Sequence, residues 1–593
     1  MNPKPTYVLG ISCYYHDSSA TLLKDGQIVS AAQEERFTRI KHDTSFPINA
    51  IAYCFESERI TIKDVKHVAF YEKPFLKFER LLHQHLTTFP WGFQTFLQAM
   101  PSWVRYKLRV TKTIRKKLKF GGAIAFIPHH LAHAASTFLP SPFKDAAIVT
   151  ADGVGEWATT TIGKGSGNSV ELIHELQFPH SLGLLYSTIT AYLGFSVNNS
   201  EYKVMGLSAY GNLDKDTNHY YRKLLSIFDI KNDGSYRLKL EFFKYHYSDR
   251  MPSLRLCQLL GGPVRKKESE ITKRHKDIAA ALQLVLEEVM NGLLEEAYRQ
   301  TGCENVVLAG GVALNSVYNG KILKNTKFKN LWIQPDAGDG GTSMGAALYL
   351  YNCILNHKRN YVLENIYLGP SYSDAYIEHF LSESGIKYSK FKGQKDLSEK
   401  VAKLIFENKI IGWFQGRMEW GPRALGARSI LANPTNTGMQ NILNTKVKLR
   451  EEFRPFAPVV PYEDANTYFI CDKPIPDAAD FMLMVYPARE KYKKIIPAVV
   501  HQDGTGRLQT VKKRLNPLYY QTIKEFEKLS GMPIIINTSL NVRGEPMVCS
   551  PEDAYRCMMG TEIDYMVMGH FLVGRSDNMK DAFDIRDSHE VMD

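Results

Sequence analysis

The stretch AAIVTADGVGEWATTTIGKGSGNSVELIHELQ, residues 146–177, decides the fold prediction, because it reads as three consecutive strands. An apolar run is followed by a polar Gly/Asp turn, a second strand, a Gly-rich turn and a third strand. The start of the chain has the same plan, with the strand TYVLGI followed by SATLLKDGQIVSAAQEE, two strands joined at the hairpin turn KDG. Two such units predict an internal duplication within an α/β domain.

Further along, strands and helices alternate. Apolar residues recur at three and four spacing in residues 271–300, which predicts a long amphipathic helix. NVVLAGGVALNSVYNGKIL and NLWIQPDAGDGGTSMGAALYLYNCIL each give a buried strand, a glycine turn and a helix. Such units favour anion binding, because free N–H groups at the helix start face the ligand. We expect this first domain to cover residues 1–358.

A polar stretch near residues 356–372 marks the expected boundary to a second domain. A chain of 593 residues is too long for one core, so two domains are expected. The region 372–575 has a different character, with Arg/Gly motifs such as GRMEWGPRALGARSI and REEFRPFAP. The last eighteen residues, 576–593, hold six acids against two bases and predict an acidic tail.

The composition is that of a globular protein, with 44% hydrophobic and 23% charged residues. No run of roughly 18 apolar residues exists, so no membrane span is predicted. The N-terminus lacks the long apolar segment of a signal peptide, and we expect a cytoplasmic protein with no membrane partner. The eight cysteines are scattered without a C-x-x-C pair, which indicates reduced thiols and no zinc ribbon.

The net charge of +12 favours anionic ligands without naming one. Part of this charge is local, because PSWVRYKLRVTKTIRKKLKFGG, residues 101–122, has eight Lys/Arg and no acid. Two interpretations stay open for this segment: a solvated helix face, which we favour, and a polyanion-binding surface.

Three histidines lie in FIPHHLAHAAST, residues 126–137. His129 and His133 share one face of a helix, whereas His130 points about 100° away. With Asp152 and Asp339, which lie in glycine turns after apolar strands, they would form an N2O2 site for Fe(II), Zn(II) or Mn(II). Spacing alone leaves a second interpretation equally open, in which the histidines are hydrogen-bonded core residues and the acids are turn residues.

Nine ordered motifs between about residues 6 and 575 resemble those of the O-carbamoyltransferases of the nodulation-factor and tobramycin type. The motifs are GISCYYHDSSATLLKDGQIVSAAQEERFTRIKHDTSFP, HHLAHAAS, ADGVGE, VMGLSAYG, LAGGVALN, DGGTSMGAAL, GWFQGRMEWGPRALGARSI, LREEFRPFAP and INTSLNVRGEPMV. The resemblance implies a duplicated actin-like/sugar-kinase-like N-terminal domain and a C-terminal α+β YrdC-like domain.

By motif position, the resemblance assigns the family's metal ligands to the two histidines and two aspartates above, and it implies that the metal is iron. The turns Gly310–Gly311 and Gly340–Gly341 resemble its nucleotide-contacting loops, with Asn315 as a further candidate. From composition alone, the C-terminal arginines could equally be an assortment of surface residues. The resemblance instead implies binding of carbamoyl phosphate and ATP, with Mg²⁺ as a possible companion of ATP, by Arg423, Lys448, Arg454, Arg507, Ser539 and Asn541.

The resemblance also implies a two-step reaction. Carbamoyl phosphate and ATP give carbamoyl adenylate in the C-terminal domain, and the intermediate moves inside the protein to the N-terminal site, where an acceptor hydroxyl attacks it and AMP leaves. His16 matches the family's catalytic histidine and is assigned as general base. The alternative is that His16 only binds phosphate or turns the chain. Lys41 and His42 are further pocket candidates, with a polar loop as the alternative.

The expected partners are carbamoyl phosphate, ATP and a small-molecule hydroxyl acceptor of natural-product type, such as an antibiotic or toxin precursor, whose identity the sequence does not give. A homodimer is compatible with this scheme, and nucleic acid is not expected. Two rivals share the fold: another enzyme, either a tRNA threonylcarbamoyl transferase-like protein or a sugar kinase, and a non-enzymatic ATP-dependent binding protein. Residues 73–120 and 212–265 match no motif and are candidates for shaping the acceptor pocket.

Overall fold

A computed structural model describes residues 4–583 of the chain. The chain divides into two compact units. The first contains the residues up to Glu34 together with Asp43–Leu363, and the second contains Glu35–His42 together with the residues from Glu364 onward. The short segment Glu35–His42 therefore belongs to the second unit, although both of its chain neighbours lie in the first.

Two five-stranded sheets form the centre of the first unit, and a small two-stranded sheet accompanies them. Its strands are β1 (Tyr7–Ser12), β2 (Ser19–Lys24), β3 (Gln27–Gln33), β4 (Val65–Phe70), β5 (Ala123–Phe126), β6 (Asp145–Ala151), β7 (Ala158–Ser166), β8 (Ser169–Gln177), β9 (Phe228–Ile230), β10 (Tyr236–Leu238), β11 (Asn305–Ala309) and β12 (Asn330–Ile333).

The two larger sheets have the same topology. Their strand orders are β3-β2-β1-β4-β5 and β8-β7-β6-β11-β12. In each sheet the first two pairings are antiparallel and the last two are parallel. The α/β class and the internal duplication predicted from the two strand units are confirmed, since β1–β3 and β6–β8 occupy equivalent places in the two sheets.

Helices surround these sheets, and the longest, Lys273–Thr301, lies where the three-and-four spacing predicts it. Thr272 and His275 form a reciprocal capping box at its start, and Gly302, with φ +63°, ends it. The α-helices of the first unit are Ile48–Glu58, Pro74–Thr87, Phe93–Arg105, Val110–Leu118, His129–Phe138, Leu182–Tyr192, Glu201–Ser208, His219–Leu225, Leu254–Leu259, Lys273–Thr301, Ser316–Asn319, Ile322–Asn325 and Thr342–Leu348.

A nine-stranded mixed sheet forms the centre of the second unit, in the order β13-β21-β20-β14-β15-β19-β16-β18-β17. Its strands are β13 (Ser389–Lys390), β14 (Ile411–Phe414), β15 (Arg428–Ala432), β16 (Ala457–Pro461), β17 (Met484–Pro487), β18 (Thr505–Val511), β19 (Ile535–Ser539), β20 (Tyr565–Met568) and β21 (Phe571–Gly574). Its helices are Glu35–Thr38, Asp374–Glu383, Gln394–Phe406, Met439–Ile442, Ala465–Tyr468, Glu490–Lys493, Pro517–Ser530 and Pro551–Met559.

An apolar core packs two of these helices, Gln394–Phe406 and Pro517–Ser530, against the sheet around the buried Trp413 and Tyr519. Within residues 4–583, no helix combines the length and the apolar character needed to cross a bilayer. All eight cysteines are free thiols. Of the predicted acidic tail, Ser576–Asp581 forms a short 3-10 helix, and residues 584–593 lie outside the described part of the chain.

Candidate functional site

The helix His129–Phe138 presents two histidines on one buried face. The Nε2 atoms of His129 and His133 lie 3.1 Å apart, and both side chains are almost completely shielded from solvent. His130 points elsewhere, with its Nδ1 2.6 Å from the hydroxyl of Thr150. Burial, together with the two neighbouring histidines, lowers the pKa of His130 to about 3, so this residue is neutral and supports the strand behind the helix.

Two carboxylates complete this cluster. Asp152 directly follows β6, and its Oδ2 lies 3.4 Å from His129 Nε2. Asp339 lies in the glycine turn after β12, and its Oδ1 lies 3.4 Å from His133 Nε2. One ligand atom from each of the four buried residues lies within 4.8 Å of the others. The structure therefore brings together in one place the four residues that spacing and resemblance had proposed.

The donor set fits a divalent cation. Four ligand atoms converge on one point in a buried site, and Asp339 Oδ1 accepts no hydrogen bond from the described residues although it is shielded from water. Burial alone would raise the pKa of Asp152, but His129, His133 and the N–H of Gly311 hold it well below its ordinary value. Two imidazoles with two ionised carboxylates suit iron, manganese or zinc.

Each ligand is held by the backbone around it. The side chain of Glu156 accepts the N–H of His129 at the first turn of the histidine helix, where a negative charge is favourable. The N–H of Gly311 donates to Asp152 Oδ1 at 2.9 Å. Gly310 has φ +90°, and a Cβ added there would lie 2.2 Å from the carbonyl oxygen of Ala151, so only glycine fits this close approach.

His16 lies beside this cluster. Its Nδ1 is 2.9 Å from Asp17 Oδ2, and its Nε2 is 3.9 Å from Asp339 Oδ2. Burial alone would lower the pKa of His16, but the charges of Asp339, Asp17 and Asp152 and the hydrogen bond to Asp17 raise it to about 10. Asp17 thus fixes the orientation of the imidazole ring through its Nδ1 atom, as carboxylates do for many catalytic histidines. The sequence interpretation gave Asp17 no role, although it directly follows His16.

In the glycine turns assigned to nucleotide contact, some backbone groups form hydrogen bonds within the protein. The N–H of Gly310 donates to the carbonyl of Ala337, and Gly341 donates to Gly338. The carbonyl of Gly340 accepts the hydroxyl of Ser19 at 2.6 Å.

Asn315 is the N-cap of Ser316–Asn319 and accepts from the N–H of Tyr318. Its side chain also exchanges two hydrogen bonds with Gln283. Nucleotide contact by these residues stays a prediction.

In the second unit, Lys448 lies buried between Ser539 and Asn541, at the end of β19. Its ammonium donates to the carbonyl of Ser539, to the Ser539 hydroxyl at 3.1 Å and to Asn541 Oδ1 at 2.8 Å. Burial lowers the pKa of Lys448 well below its ordinary value, and the charges of Arg450, Arg454 and Lys41 lower it further. We call Lys448 and its cationic neighbours Arg450, Arg454 and Lys41 the cationic pocket, in which uncharged oxygens hold the Lys448 side chain.

Two arginines of the motif GRMEWGPRALGARSI donate to backbone carbonyls. Arg428 is fully buried, stacks on Phe414 at 3.6 Å and donates to backbone carbonyls, among them those of Gln415 and Pro370, so it serves the fold. Arg417 likewise donates to the carbonyl of Leu368.

Of the residues predicted to bind the anion, Arg454 lies 3.8 Å from Glu451. Arg507 lies on β18 opposite Val485 of β17. Arg423 lies in the loop that leads into β15.

The sequence interpretation gave no role to two further residues of the second unit. Glu419 is buried, and its Oε1 accepts the N–H groups of Leu425, Ala427 and Arg428, so it shapes the loop that carries Arg423. It is the single acid in GRMEWGPRALGARSI, which was the available signal. His501 begins the hairpin that leads to Arg507, and burial lowers its pKa to about 4.

The segment Glu35–His42 contributes to the same unit. Arg36 donates to the carbonyl of Gly421 at 3.1 Å, and Arg39 donates to the carbonyl of Pro546 at 2.9 Å. The backbone N–H of His42 donates to Glu35. Lys41, a predicted pocket residue, is one of the charges that lower the pKa of Lys448, so it lies on the side of the second unit's cationic pocket.

Comparison with known proteins agrees with the motifs. Residues 7–348 match the family described as Carbamoyltransferase N-terminus, and residues 402–575 match Carbamoyltransferase C-terminus. An uncharacterized protein of Synechocystis sp. is 44% identical over 604 residues, which cover 96% of this chain and 97% of that protein. Nodulation protein NolNO of Sinorhizobium fredii is 36% identical over 568 residues, covering 94% of this chain and 79% of that protein. The chain therefore belongs to the carbamoyltransferase family.

Proposed function

We propose that this protein is an ATP-dependent O-carbamoyltransferase that forms carbamoyl adenylate in its second unit and carbamoylates a small-molecule hydroxyl in its first. One observation carries the proposal: each unit of a carbamoyltransferase-family chain holds its own charged centre. The first is a buried imidazole–carboxylate cluster, and the second is the cationic pocket, in which neutral oxygens hold the side chain of Lys448. The two centres suit two different half-reactions.

The cationic pocket suits phosphate-bearing substrates. The lowered pKa of Lys448 disfavours its charged form in the free protein, and the negative charge of a bound phosphate would favour it again. The guanidinium groups of Arg423, Arg454 and Arg507 can hold phosphate oxygens in pairs. Carbamoyl adenylate contains a single phosphate. Atom balance therefore requires the phosphate of carbamoyl phosphate to leave as inorganic phosphate, with one water consumed. The carbamate oxygen attacks the α-phosphorus of ATP, and pyrophosphate leaves.

The cluster of the first unit suits the transfer step. The acceptor oxygen attacks the carbamoyl carbon while His16 Nε2 takes its proton, and the bond to the adenylate oxygen breaks to release AMP. Asp17 holds the opposite ring nitrogen of His16 throughout. The raised pKa of His16 arises largely from Asp339, so the base role requires that the charge of this carboxylate be offset.

The residues that would hold a divalent cation are His129, His133, Asp152 and Asp339. Such a cation supplies positive charge to a carbonyl or phosphate oxygen of the substrate. Iron is the metal implied by the family resemblance, and the donor set is compatible with it. Burial of the cluster excludes water, which would otherwise hydrolyse an activated carbamoyl group.

A product analysis tests the proposal. The purified protein is incubated with carbon-labelled carbamoyl phosphate, ATP and Mg²⁺, and inorganic phosphate, pyrophosphate and AMP are measured with and without a panel of hydroxyl acceptors. We expect one pyrophosphate and one inorganic phosphate for each carbamoyl adenylate formed, and AMP with a labelled carbamate ester when an acceptor is present. ADP formation, or ATP turnover that does not depend on carbamoyl phosphate, would contradict the proposal and favour a kinase or a binding protein.

A further inference from the structure

A helical region near the start of the first unit turns large apolar side chains toward solvent. We call this region, residues 74–118, the helical lobe. Its first two helices, Pro74–Thr87 and Phe93–Arg105, contact each other through the rings of His85 and Phe96, whose centroids are 5.1 Å apart.

The connection between these two helices carries two strongly exposed aromatic rings. Phe89 is 68% exposed and Trp91 is 78% exposed. The ring centroid of Phe89 lies 6.2 Å from that of Phe93, so the aromatic tip continues onto the second helix. Exposed aromatic groups at this density mark a surface that contacts something other than water.

The second helix extends the apolar surface. Phe93, Leu97 and Val104 recur at four and seven residues, which places them on one helix face. Each of the three is about half exposed or more, whereas Trp103, on another face, is buried. This helix therefore has two apolar faces: Phe96, Met100 and Trp103 are buried or half-buried, and a second stripe points toward solvent, where a surface helix of a globular protein is normally polar.

The first helix also turns large apolar side chains toward solvent. Phe75 and Leu86 are more than two-thirds exposed, while Lys77 and Arg80 on the same helix are buried. The ammonium of Lys77 lies 2.5 Å from Glu72, so the inward face of the helix carries charge, beside the ring of Phe78, which contacts Trp103. This helix thus exposes large apolar side chains while it buries two charged ones.

The third helix, Val110–Leu118, supplies charge. Val110, Ile114 and Leu118 are buried, and Lys112 and Lys116 project from the opposite, exposed face. No acidic residue occurs in the sequence from residue 80 to residue 144. The basic residues of this acid-free run up to Gly122 are Arg105, Lys107, Arg109, Lys112, Arg115, Lys116, Lys117 and Lys119.

We propose that the helical lobe docks the protein on the surface of an anionic phospholipid bilayer. Trp and Phe side chains insert at the level of the lipid headgroups, and Leu and Val side chains reach the acyl boundary. The neighbouring cations pair with the lipid phosphates. The docking uses no spanning helix: in this proposal the folded lobe lies on the membrane surface.

Two other occupants explain less of the surface. In a symmetric pair of chains the lobe would face its own copy, and the eight cations between Arg105 and Lys119, a stretch without an acid, would meet an equal set of cations. A nucleic acid would satisfy the cations and stack on Trp91, but it offers no apolar environment for Leu86 and Leu97. An anionic bilayer satisfies both the charge and the aliphatic groups.

The expectation of no membrane partner rested on the absence of a spanning segment, and surface docking through a folded lobe needs none. The proposal is also independent of the carbamoyl chemistry, because it uses only exposed residues outside the two charged centres.

Vesicle sedimentation with the full chain tests the proposal. Vesicles of phosphatidylcholine with 30% phosphatidylglycerol are compared with pure phosphatidylcholine vesicles, at 0.1 M and 0.5 M NaCl. We expect binding to the anionic vesicles that high salt weakens, and at least about fivefold less binding for F89S/W91S/F93S and for K112Q/R115Q/K116Q. The matched controls, L254S/I470S/L529S and K329Q/K395Q/K403Q, change exposed side chains elsewhere and should bind like the wild type.

Tryptophan fluorescence gives a second readout of binding that does not depend on the multiple-substitution variants being folded. Tryptophan emission should shift to the blue when anionic vesicles are added, and W91F should keep its binding while losing that shift. Equal or absent binding to both vesicle types overturns the proposal. So does a dimer that F89S/W91S/F93S converts to a monomer without any vesicle binding, which would assign the face to a second copy. Salt-sensitive tRNA binding without vesicle binding overturns it as well.

Discussion

Both carboxylate oxygens of Glu156 lie 3.1 Å from the backbone nitrogen of His129. Glu156 follows β6 in the same turn as Asp152, so this one turn supplies a candidate metal ligand and also fixes the start of the helix that carries two others. One of its oxygens also accepts the N–H of Lys73 at 2.7 Å. The position of the ligand cluster thus depends on a residue that does not itself belong to it.

The Glu156 contact leads to the first prediction. Glu156→Gln keeps the size of the side chain but removes the charge that favours the helix start, so we expect a lower Tm and about tenfold weaker metal binding. Titration of metal-stripped protein with Mn²⁺ and a thermal melt measure the two effects. Glu171→Gln, on the exposed side of β8, is the control. Unchanged metal affinity in Glu156→Gln would remove this positioning role.

The metal assignment can be checked without activity. His133→Ala removes one of four converging donors, so bound iron, manganese and zinc in the purified protein should fall to about a tenth or less. His130→Asn is the matched control, because His130 faces Thr150 and not the cluster. Elemental analysis of both variants against the wild type decides the question, and equal metal content in His133→Ala would contradict the assignment.

The two half-reactions should separate by mutation. His16→Asn should abolish carbamate-ester formation while pyrophosphate release from carbamoyl phosphate and ATP continues. Arg454→Ala and Lys448→Met should instead slow pyrophosphate release by about a hundredfold or more, because each loses a cation at the phosphates. Lys446→Met, at an exposed lysine, is the control. Full ester formation by His16→Asn would exclude the base role.

Acid sensitivity of the second unit should depend on His501. Its pKa of about 4 lies below the ordinary value of 6.5, because burial disfavours the imidazolium. As pH falls from 6.5 to 4, the unfolded chain takes up a proton that the folded chain refuses, so the free energy of unfolding decreases. The loss is about 1.4 kcal/mol for each unit by which the two pKa values differ.

Melting curves at pH 7.5, 6 and 5 test this, since His501→Gln should flatten the pH dependence of the Tm of the second unit. The exposed His379→Gln should leave that dependence unchanged. A wild-type slope retained in His501→Gln would place the acid sensitivity elsewhere.

Gly310 provides a test of the backbone at the site. Gly310 and Gly302 both have positive φ, but only at Gly310 would a Cβ collide with backbone, 2.2 Å from the oxygen of Ala151. Gly302→Ala should cost about 1 kcal/mol, whereas Gly310→Ala should cost clearly more and should also lower metal binding, because Gly311 holds Asp152. Thermal melts and metal titration compare the two, and equal effects would show that the close approach at Gly310 is unimportant.

Local patterns in the sequence predicted much of the first unit. The alternation of apolar strands and glycine turns gave the duplicated sheets, and the four-residue spacing of His129 and His133 gave their shared face. These features depend on neighbours a few residues away, where periodicity and turn chemistry are strong.

Other features could not be predicted in this way. Arg428 has glycines near it in the sequence, as Arg423 does, yet its guanidinium donates to backbone carbonyls inside the fold. The apolar stripe of Phe93, Leu97 and Val104 is typical of a buried face, yet it lies outside. In both cases the local pattern is compatible with two opposite environments.

The sequence by itself therefore determined the strand and helix periods, the family motifs and the residue types available for chemistry. Only the tertiary structure decided that Asp152 and Asp339 meet His129 and His133, that Glu35–His42 joins the second unit, and that Lys448 lies against Ser539 and Asn541. The physical reason is that burial and electrostatic contact are set by segments far apart in the chain, whose approach depends on the packing of whole sheets and is not encoded in any short stretch.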